Sequence, residues 1–198
     1  FPMDATNAPG TQNQLGYYFN AGNVEYYLNT GTIGIYNNPQ FAATDDRKTK
    51  LTVATTAVAK FPSSTKFSGV SPYVDFVPNI RYAEVLLNLS EAIARNTNSV
   101  DSRAVALLNS VRGRSDATTV FSVSSFATVQ NLIDQILTER RIELLAEGFS
   151  SPDIMRLGQN FPVKGSAPAV AKTDTQYLWP IPLNELLYNK LCVQNTGH

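Results

Sequence analysis

Residues 81–95 read RYAEVLLNLSEAIAR, a run that contains neither glycine nor proline. Because an α-helix turns once in about 3.6 residues, side chains three and four positions apart share a face. The residues that would form the buried face of this helix are Ala83, Leu86, Leu87 and Ser90. The pattern therefore predicts an amphipathic helix over residues 81–95.

Two further helices are predicted on the C-terminal side of this run. An Asn-Thr-Asn-Ser turn at 96–99 leads into the first, from about Asp101 to Arg112, and Gly113 is its expected end. A connection this short predicts that the two helices pack antiparallel. The second, from about Thr128 to Glu147 with Gly148 as its stop, would be about 30 Å long. The residues expected to face inward are Ala104, Val105, Leu108 and Val111 in one helix and Leu132, Ile133, Ile136, Leu137 and Leu144 in the other.

The sequence divides into two segments that differ in composition and hydrophobic pattern, 1–79 and 80–198. Residues 1–79 are rich in Asn, Thr, Gly, Pro and Tyr, which predicts loops, short strands and one helical turn. Residues 80–198 carry the helices, and we expect both segments to form one domain of a longer chain. Near the end, Trp-Pro-Ile-Pro at 179–182 predicts an extended stretch with Trp179 in the core, and Leu183–Leu191 predicts a last helical turn or two.

The composition excludes several classes of function. The 198 residues include 16 basic and 16 acidic ones, a balance that disfavours nucleic-acid binding, which requires a basic face. One cysteine, Cys192, and one histidine, His198, cannot build a Cys/His zinc site, and they leave no Ser-His or Cys-His nucleophilic pair. We therefore expect no metal, no cofactor and no catalytic residues. Residues 1–30 show no signal peptide, so we expect that a leader has been removed or that the chain is an internal fragment.

Glu139, Glu143 and Glu147 form an acidic stripe along the third helix, at spacings of four residues. Carboxylates stacked on one helix do not face each other across a substrate, which disfavours glycoside hydrolysis. The favoured interpretation is ion pairing of Arg140 and Arg141 with Glu143 and Glu147. Residues of neighbouring helices would join these pairs: Glu84, Glu91 and Arg112. Such pairs would set helix register more than they would add stability.

Residues 45–48, Asp-Asp-Arg-Lys, form a compact charged group outside the helices. A metal or phosphate site would need further acidic residues or a glycine-rich cradle nearby, and the sequence shows neither. We therefore expect a surface turn here.

Tyrosines interleaved with asparagines give the first segment its best candidate for a binding site. Aromatic faces beside amide groups suit sugar rings, which have an apolar face and a polar rim. The predicted ligand-binding residues are Tyr17, Tyr18, Tyr26, Tyr27 and Tyr36. The alternative is that these tyrosines pack a loop-rich half of the domain.

Several motifs of residues 45–198 occur in an order that resembles a known family. The motifs are RYAEVLL at 81–87, LNSVRGR at 108–114, ERRIEL at 139–144 with Glu147-Gly148, then Asp153, Arg156, WPIP at 179–182 and Gln194-Asn195. Asp46-Arg47 and Lys60-Phe61 stand where that family carries an Asp-x-Arg and a Lys-aromatic pair. The chain thus resembles the C-terminal portion of the SusD/RagB family of outer-membrane nutrient-binding lipoproteins.

This resemblance implies a mainly α fold: tetratricopeptide-like helix pairs with long irregular loops and few short strands. It implies a surface glycan-binding component of a TonB-dependent uptake system, which captures oligosaccharide or polysaccharide for a SusC-like outer-membrane transporter. The parent protein would be surface-exposed on the outer membrane and held only by a lipid anchor that this chain lacks. Two alternatives remain open: a structural protein-interaction scaffold with the ligand site in a missing N-terminal half, and an enzyme.

Overall fold

The structure, a computed structural model, describes residues 28–29, 31–50 and 78–197, together with the backbone of two short strands at 52–53 and 57–58. In chain order the helices are α1 Asp46–Lys50, α2 Tyr82–Thr97, α3 Ser102–Ser115, α4 Val129–Glu143, α5 Ser150–Arg156 and α6 Leu183–Tyr188. Short 3₁₀ turns cover Ile35–Asn37, Val123–Ser125 and Thr175–Tyr177. The strands β1 Thr52–Val53 and β2 Ala57–Val58 pair antiparallel, with Thr52 opposite Val58. The prediction of a mainly helical fold with few short strands is confirmed for these residues.

Side chains at the helix starts explain where α3 and α4 begin. The Asp101 carboxylate caps α3 by accepting hydrogen bonds from the backbone N–H groups of Arg103 and Ala104, at 2.8 and 3.1 Å. Thr128 and Asn131 form a reciprocal capping box at the start of α4. Asn98 ends α2 in the left-handed region, with φ 48°. The predicted starts of all three helices are confirmed to within one residue.

Helix α4 ends at Glu143, four residues before the predicted end at Glu147. The Glu143 carbonyl, which would accept the N–H of Glu147 in a continued helix, instead accepts a hydrogen bond from Arg81 Nη2 at 2.8 Å. The Glu147 N–H turns to the carbonyl of Leu144 at 3.1 Å, and Ala146 then adopts a φ of 65°. A helix of 15 residues is about 22 Å long rather than about 30 Å. Helix α3, by contrast, continues through Gly113 to Ser115.

The core of residues 78–149 lies among α2, α3 and α4. Helix α2 packs most extensively on α3, then on α4, while α3 and α4 touch less. The buried residues are Ala83, Leu87, Ala94, Ala104, Val105, Leu108, Val111, Phe126, Leu132, Ile133 and Ile136. The predicted faces are thus confirmed, with Leu86 and Leu137 partly buried at the edge of this core.

The chain divides into two compact units, Phe1–Phe149 and Ser150–His198. In the second unit the ring of Tyr177 lies 5.2 Å from that of Phe161, and its hydroxyl donates to the Gln159 carbonyl at 2.9 Å. The boundary that the sequence predicts at 79/80 stays a prediction, because residues 59–77 are outside the described part of the chain.

The Trp-Pro-Ile-Pro segment is extended, as predicted, but Trp179 is not in the core. Its side chain is 86% exposed. The Gln194 side chain binds both the N–H and the carbonyl of Ile181, at 2.8 and 3.1 Å, and Asn195 donates to the Trp179 carbonyl at 2.7 Å. These contacts hold the backbone and leave the indole ring outside. The predicted last helix is confirmed as α6.

Candidate functional site

Eight charged side chains meet around the C-terminal half of α4, and we call them the ion-pair cluster. Four guanidinium groups face four carboxylates, so the cluster has no formal net charge. Its members are Asp45, Arg47, Arg81, Arg112, Arg114, Glu139, Glu143 and Glu147.

Arg47 is the centre of the cluster. Its Nε and Nη2 donate to the two carboxylate oxygens of Asp45 at 2.9 and 2.6 Å, in a bidentate pair. Its Nη1 donates to Glu139 Oε1 at 2.6 Å and to Glu143 Oε2 at 2.8 Å. The backbone N–H of Arg47 also donates to Asp45 Oδ1 at 2.9 Å, so the local turn preorganises this pair.

Arg112 brings α3 into the same cluster and is almost completely buried. Its Nη1 donates to Asp45 Oδ2 at 2.7 Å, and its Nη2 donates to the carbonyl of Gln40. Its Nε lies 3.2 Å from Glu139 Oε2 without hydrogen-bond geometry. Arg112 therefore ties α3 to the loop that precedes α1 and to α4.

Arg81 and Arg114 hold the end of α4. Arg81 donates through Nε and Nη2 to Glu147 at 2.8 and 2.7 Å, and through Nη1 to Glu143 at 2.7 Å. Arg114, which is mostly exposed, donates to Glu143 Oε1 at 2.6 Å. Glu143 thus accepts hydrogen bonds from three arginines of three different segments.

The pKa values of the carboxylates follow from burial opposed by these guanidinium groups. Burial alone would raise the pKa of Glu143, but hydrogen bonds from Arg81 and Arg114 outweigh it and lower that pKa to about 2. Burial is likewise outweighed at Asp45, where Arg47 holds the pKa below its usual value. At Glu139 burial dominates over Arg47 and Arg112, and the pKa is raised.

The cluster corrects the interpretation of residues 45–48 as a surface turn. Asp45 and Arg47 are buried, whereas Asp46 and Lys50 form an exposed pair at 2.5 Å. The acidic partners that the sequence seemed to lack come from α4, 92 and 96 residues away. Arg47, Arg81 and Arg114 were missed as partners of the glutamate stripe, since no local spacing signals contacts at such separations.

The arrangement fits a structural cluster better than a catalytic one. Each carboxylate of the cluster is engaged by at least one guanidinium group. Arg112, a residue of a neighbouring helix, joins the glutamate stripe at Glu139. In the residues that the structure describes, no group of His, Cys, Asp or Glu could hold a metal ion, and no helix is long and apolar enough to cross a membrane.

Of the predicted ligand-binding tyrosines, only Tyr36 lies within the described residues; Tyr17, Tyr18, Tyr26 and Tyr27 lie outside them. Tyr36 is half-buried in the 3₁₀ turn and meets Phe41 edge-on, with ring centroids 6.3 Å apart. The Lys48 ammonium sits 4.8 Å from the centroid of the Tyr36 ring and donates to the Phe41 carbonyl at 2.7 Å. Tyr36 therefore packs against Phe41, in the loop that precedes α1 and that the ion-pair cluster holds in place.

Three other aromatic side chains of the described residues are largely exposed: Tyr82, Trp179 and Tyr188. Trp179 and Tyr188 belong to the second unit, where Leu183, Leu191 and Val193 are exposed as well. Polar side chains of the same stretch are exposed too, among them Asn184, Asn189 and Lys190, so the exposed residues mix apolar and polar groups.

Comparisons with known proteins agree on one family. The SusD family model matches residues 5–165. A curated relative, the SusD-like protein P38 of Formosa agariphila, is 32% identical over 136 residues, which cover 65% of this chain and 26% of the relative.

Solved structures give the same result. A SusD superfamily protein from Bacteroides fragilis is 34% identical, with a TM-score of 0.74 over 96% of this chain and 43% of that one. A SusD-like carbohydrate binding protein from Bacteroides vulgatus is 25% identical, with a TM-score of 0.60 over 77% of this chain and 39% of that one. The chain thus spans less than half the length of these relatives.

Proposed function

The chain belongs to the SusD family and has its tetratricopeptide-like helical fold, and from this we propose that it is part of a surface glycan-binding protein. The parent protein would capture oligosaccharide for a SusC-like TonB-dependent transporter. It would work on the outer membrane, held there by a lipid anchor. The observation that carries the proposal is the match to the family over residues 5–165, together with a solved relative described as carbohydrate binding.

The ion-pair cluster supports a binding role without catalysis. General acid/base chemistry needs a carboxyl group that is available to a substrate. The carboxylates of Asp45, Glu139 and Glu143 are instead buried and bound by arginines. We infer that the cluster holds the loop of residues 38–47 against α3 and α4, and that the protein is not an enzyme.

The glycan would bind at the tyrosine-rich segment, through Tyr17, Tyr18, Tyr26, Tyr27 and Tyr36. Stacking of sugar rings on aromatic faces uses few charges, so we expect dissociation constants near millimolar, or about 4 kcal/mol of binding free energy. Tyr36 supports this assignment in part, because it is only half-buried and sits on a fixed loop.

Native gels that contain a panel of polysaccharides test the proposal. Retardation of both the 198-residue chain and its full-length parent by the same glycan is expected. Alanine substitution of Tyr17, Tyr18, Tyr26, Tyr27 and Tyr36 should then abolish retardation. Tyr188→Ala, which truncates an exposed tyrosine of the second unit, should leave it unchanged.

The second candidate function is a protein-interaction scaffold, with the sugar bound elsewhere in the parent protein. The exposed apolar residues of the second unit favour it. Retardation of the parent alone, with circular dichroism showing that the shorter chain is folded, would support the scaffold and reject the tyrosine site.

A further inference from the structure

Lys48 is the residue of α1 that contacts Tyr36, the one predicted ligand-binding tyrosine among the described residues. Its Nζ lies over the Tyr36 ring, 4.8 Å from the centroid, and 5.4 Å from the centroid of the Phe41 ring. The same ammonium group donates a hydrogen bond to the Phe41 carbonyl at 2.7 Å. A cation over a ring is attracted by the negative potential of the π face. Lys48 therefore links α1 to the 3₁₀ turn that carries Tyr36.

The position of Lys48 is fixed by its neighbour in the chain. Arg47 precedes it in α1 and is bound by Glu139 and Glu143 of α4. Adjacent residues of a helix do not face each other, so Arg47 reaches into the ion-pair cluster while Lys48 reaches Tyr36. The ammonium group that contacts the Tyr36 ring is thus held in place from α4.

Phe41 restrains Tyr36 from a second direction. Phe41 is almost completely buried and packs with Ile35 and Ile142. It meets Tyr36 edge-on, with ring planes at 81°. A fixed neighbouring ring and a cation over one face together restrict rotation of the Tyr36 side chain. Binding to a side chain that is already oriented avoids part of the entropy cost of ordering it.

The two faces of the Tyr36 ring are not equivalent. The Lys48 ammonium group lies over one face, so a sugar ring can stack only on the opposite one. Tyr36 is half-buried, which leaves part of its ring accessible. Lys48 therefore decides which side of the ring a flat ligand can use.

We propose that Lys48 is a positioning residue of the glycan site, which holds the Tyr36 ring from one side and leaves the opposite face for a sugar. The inference rests on the proposed function, because it takes Tyr36 as a residue that stacks on glycan. It adds a charged side chain that acts on the sugar only through the orientation of Tyr36.

Hydroxyl-radical footprinting of the full-length protein tests the contact, because the oxidation rate of a tyrosine follows the accessibility of its ring. Lys48→Met keeps the aliphatic stem and removes both the charge and the hydrogen bond. We expect Tyr36 to be oxidised about twofold faster in this variant, since the half-buried ring loses the cation that restrains it. Phe126, buried in the core, should be oxidised as slowly as before.

Affinity for glycan is compared in native gels that contain the polysaccharide that most strongly retards the unsubstituted protein. Lys48→Met should weaken binding about threefold, which corresponds to the loss of one cation–π contact. Lys48→Arg should restore both the affinity and the oxidation rate, because a guanidinium group also donates hydrogen bonds and stacks on aromatic faces. Lys50→Met, the matched control, removes the same charge from an exposed residue of α1 and should change neither.

An unchanged oxidation rate of Tyr36 in Lys48→Met would overturn the proposal, whether or not glycan binds. Faster oxidation with unchanged retardation would also overturn it, because glycan binding would then not need the oriented ring. Equal weakening by Lys50→Met would indicate a general effect of charge and would reject a specific role of Lys48. The proposed function fails separately, if no polysaccharide retards the unsubstituted protein, and the role of Lys48 in glycan binding is then rejected with it.

Discussion

Arg47 joins three carboxylates from two distant parts of the chain through one guanidinium group. The geometry uses its planar fork, which an ammonium group cannot reproduce. Burial opposes the charge, but Asp45 and Glu139 outweigh it, and the pKa of Arg47 is raised above its usual value. Arg47 therefore stays charged wherever the protein is folded.

Removing this guanidinium should destabilise the fold strongly. Arg47→Met leaves Asp45 and Glu139 buried with half their partners, and loss of one member of a buried pair costs roughly 3–5 kcal/mol. Urea unfolding followed by circular dichroism measures the change. Arg47→Lys should be intermediate, because it keeps the charge and loses the bidentate contact.

Arg141→Met is the matched control, since Arg141 is exposed on α4, and its effect should stay within about 0.5 kcal/mol. If Arg47→Met were as mild as this control, the cluster would not stabilise the fold.

The ionisation of Glu143 should make the free energy of unfolding depend on pH in the acidic range. Its pKa is about 2 in the fold and near 4.5 when unfolded, so the unfolded chain binds the proton more readily. Its stabilising contribution is complete above about pH 4.5 and is lost as the pH falls toward 2. The free energy of unfolding should therefore decrease as the pH is lowered through this window. In Glu143→Gln that decrease should be smaller.

Glu139→Gln provides a comparison, because the pKa of Glu139 is shifted in the opposite direction to that of Glu143. The pKa of Glu139 is raised in the fold, so its contribution decreases as pH rises through its unfolded value. Removing this group should make the free energy of unfolding rise more steeply with pH above about pH 4.5, whereas Glu143→Gln acts between about pH 2 and 4.5. Identical slopes in both variants, measured by urea unfolding at several pH values, would contradict the assigned directions.

At the level of the elements, helix starts follow from a few adjacent residues. Asp101 accepts two backbone N–H groups at the start of α3. Helix ends depend more on the surroundings, because Arg81, 62 residues earlier, takes the carbonyl that α4 would need to continue. Local sequence therefore predicted where α3 and α4 begin better than where they end.

Asp101→Ala should remove the cap of α3 and destabilise the fold by about 1 kcal/mol. Asp101→Ser should retain most of the stability, because a serine hydroxyl accepts the same N–H groups. Thermal and urea unfolding measure both variants. Asp134→Ala, on the exposed side of α4, is the control, and a loss there equal to that of Asp101→Ala would argue against the cap.

At the scale of the molecule, the second unit exposes many large apolar side chains and buries few of its residues. Large exposed side chains lie within a short part of the chain: Trp179, Leu183, Leu187, Tyr188, Leu191 and Val193. Among the described residues of this unit, only Tyr177 and Asp153 are buried. We expect such a unit to gain stability from a partner that covers these side chains.

The 198-residue chain should therefore self-associate or bind a hydrophobic dye. The double substitution Leu187→Glu and Leu191→Glu should reduce both effects, because it places charges on the exposed surface. Sedimentation velocity and dye fluorescence provide the measurements. Lys172→Glu, at an exposed polar position, should change neither; a chain that stays monomeric and dye-free at high concentration would contradict the prediction.

Sequence by itself determined where α2, α3 and α4 begin and which faces they bury, because helical spacing and capping act over only a few residues. Ala104, Leu108, Leu132 and Ile136 were placed inside on spacing alone, and all are buried. The ordered motifs also pointed to the SusD family. The tyrosine site stays a prediction, since most of it lies outside the described residues.

Tertiary structure alone decided which charges meet. Arg47 and Glu143 are 96 residues apart, and only the packing of α3 and α4 with the loop before α1 brings them together. The same packing decides exposure: it buries Asp45, which the sequence placed on the surface, and leaves Trp179 outside. Burial depends on what the rest of the chain covers, and no local pattern of residues specifies that.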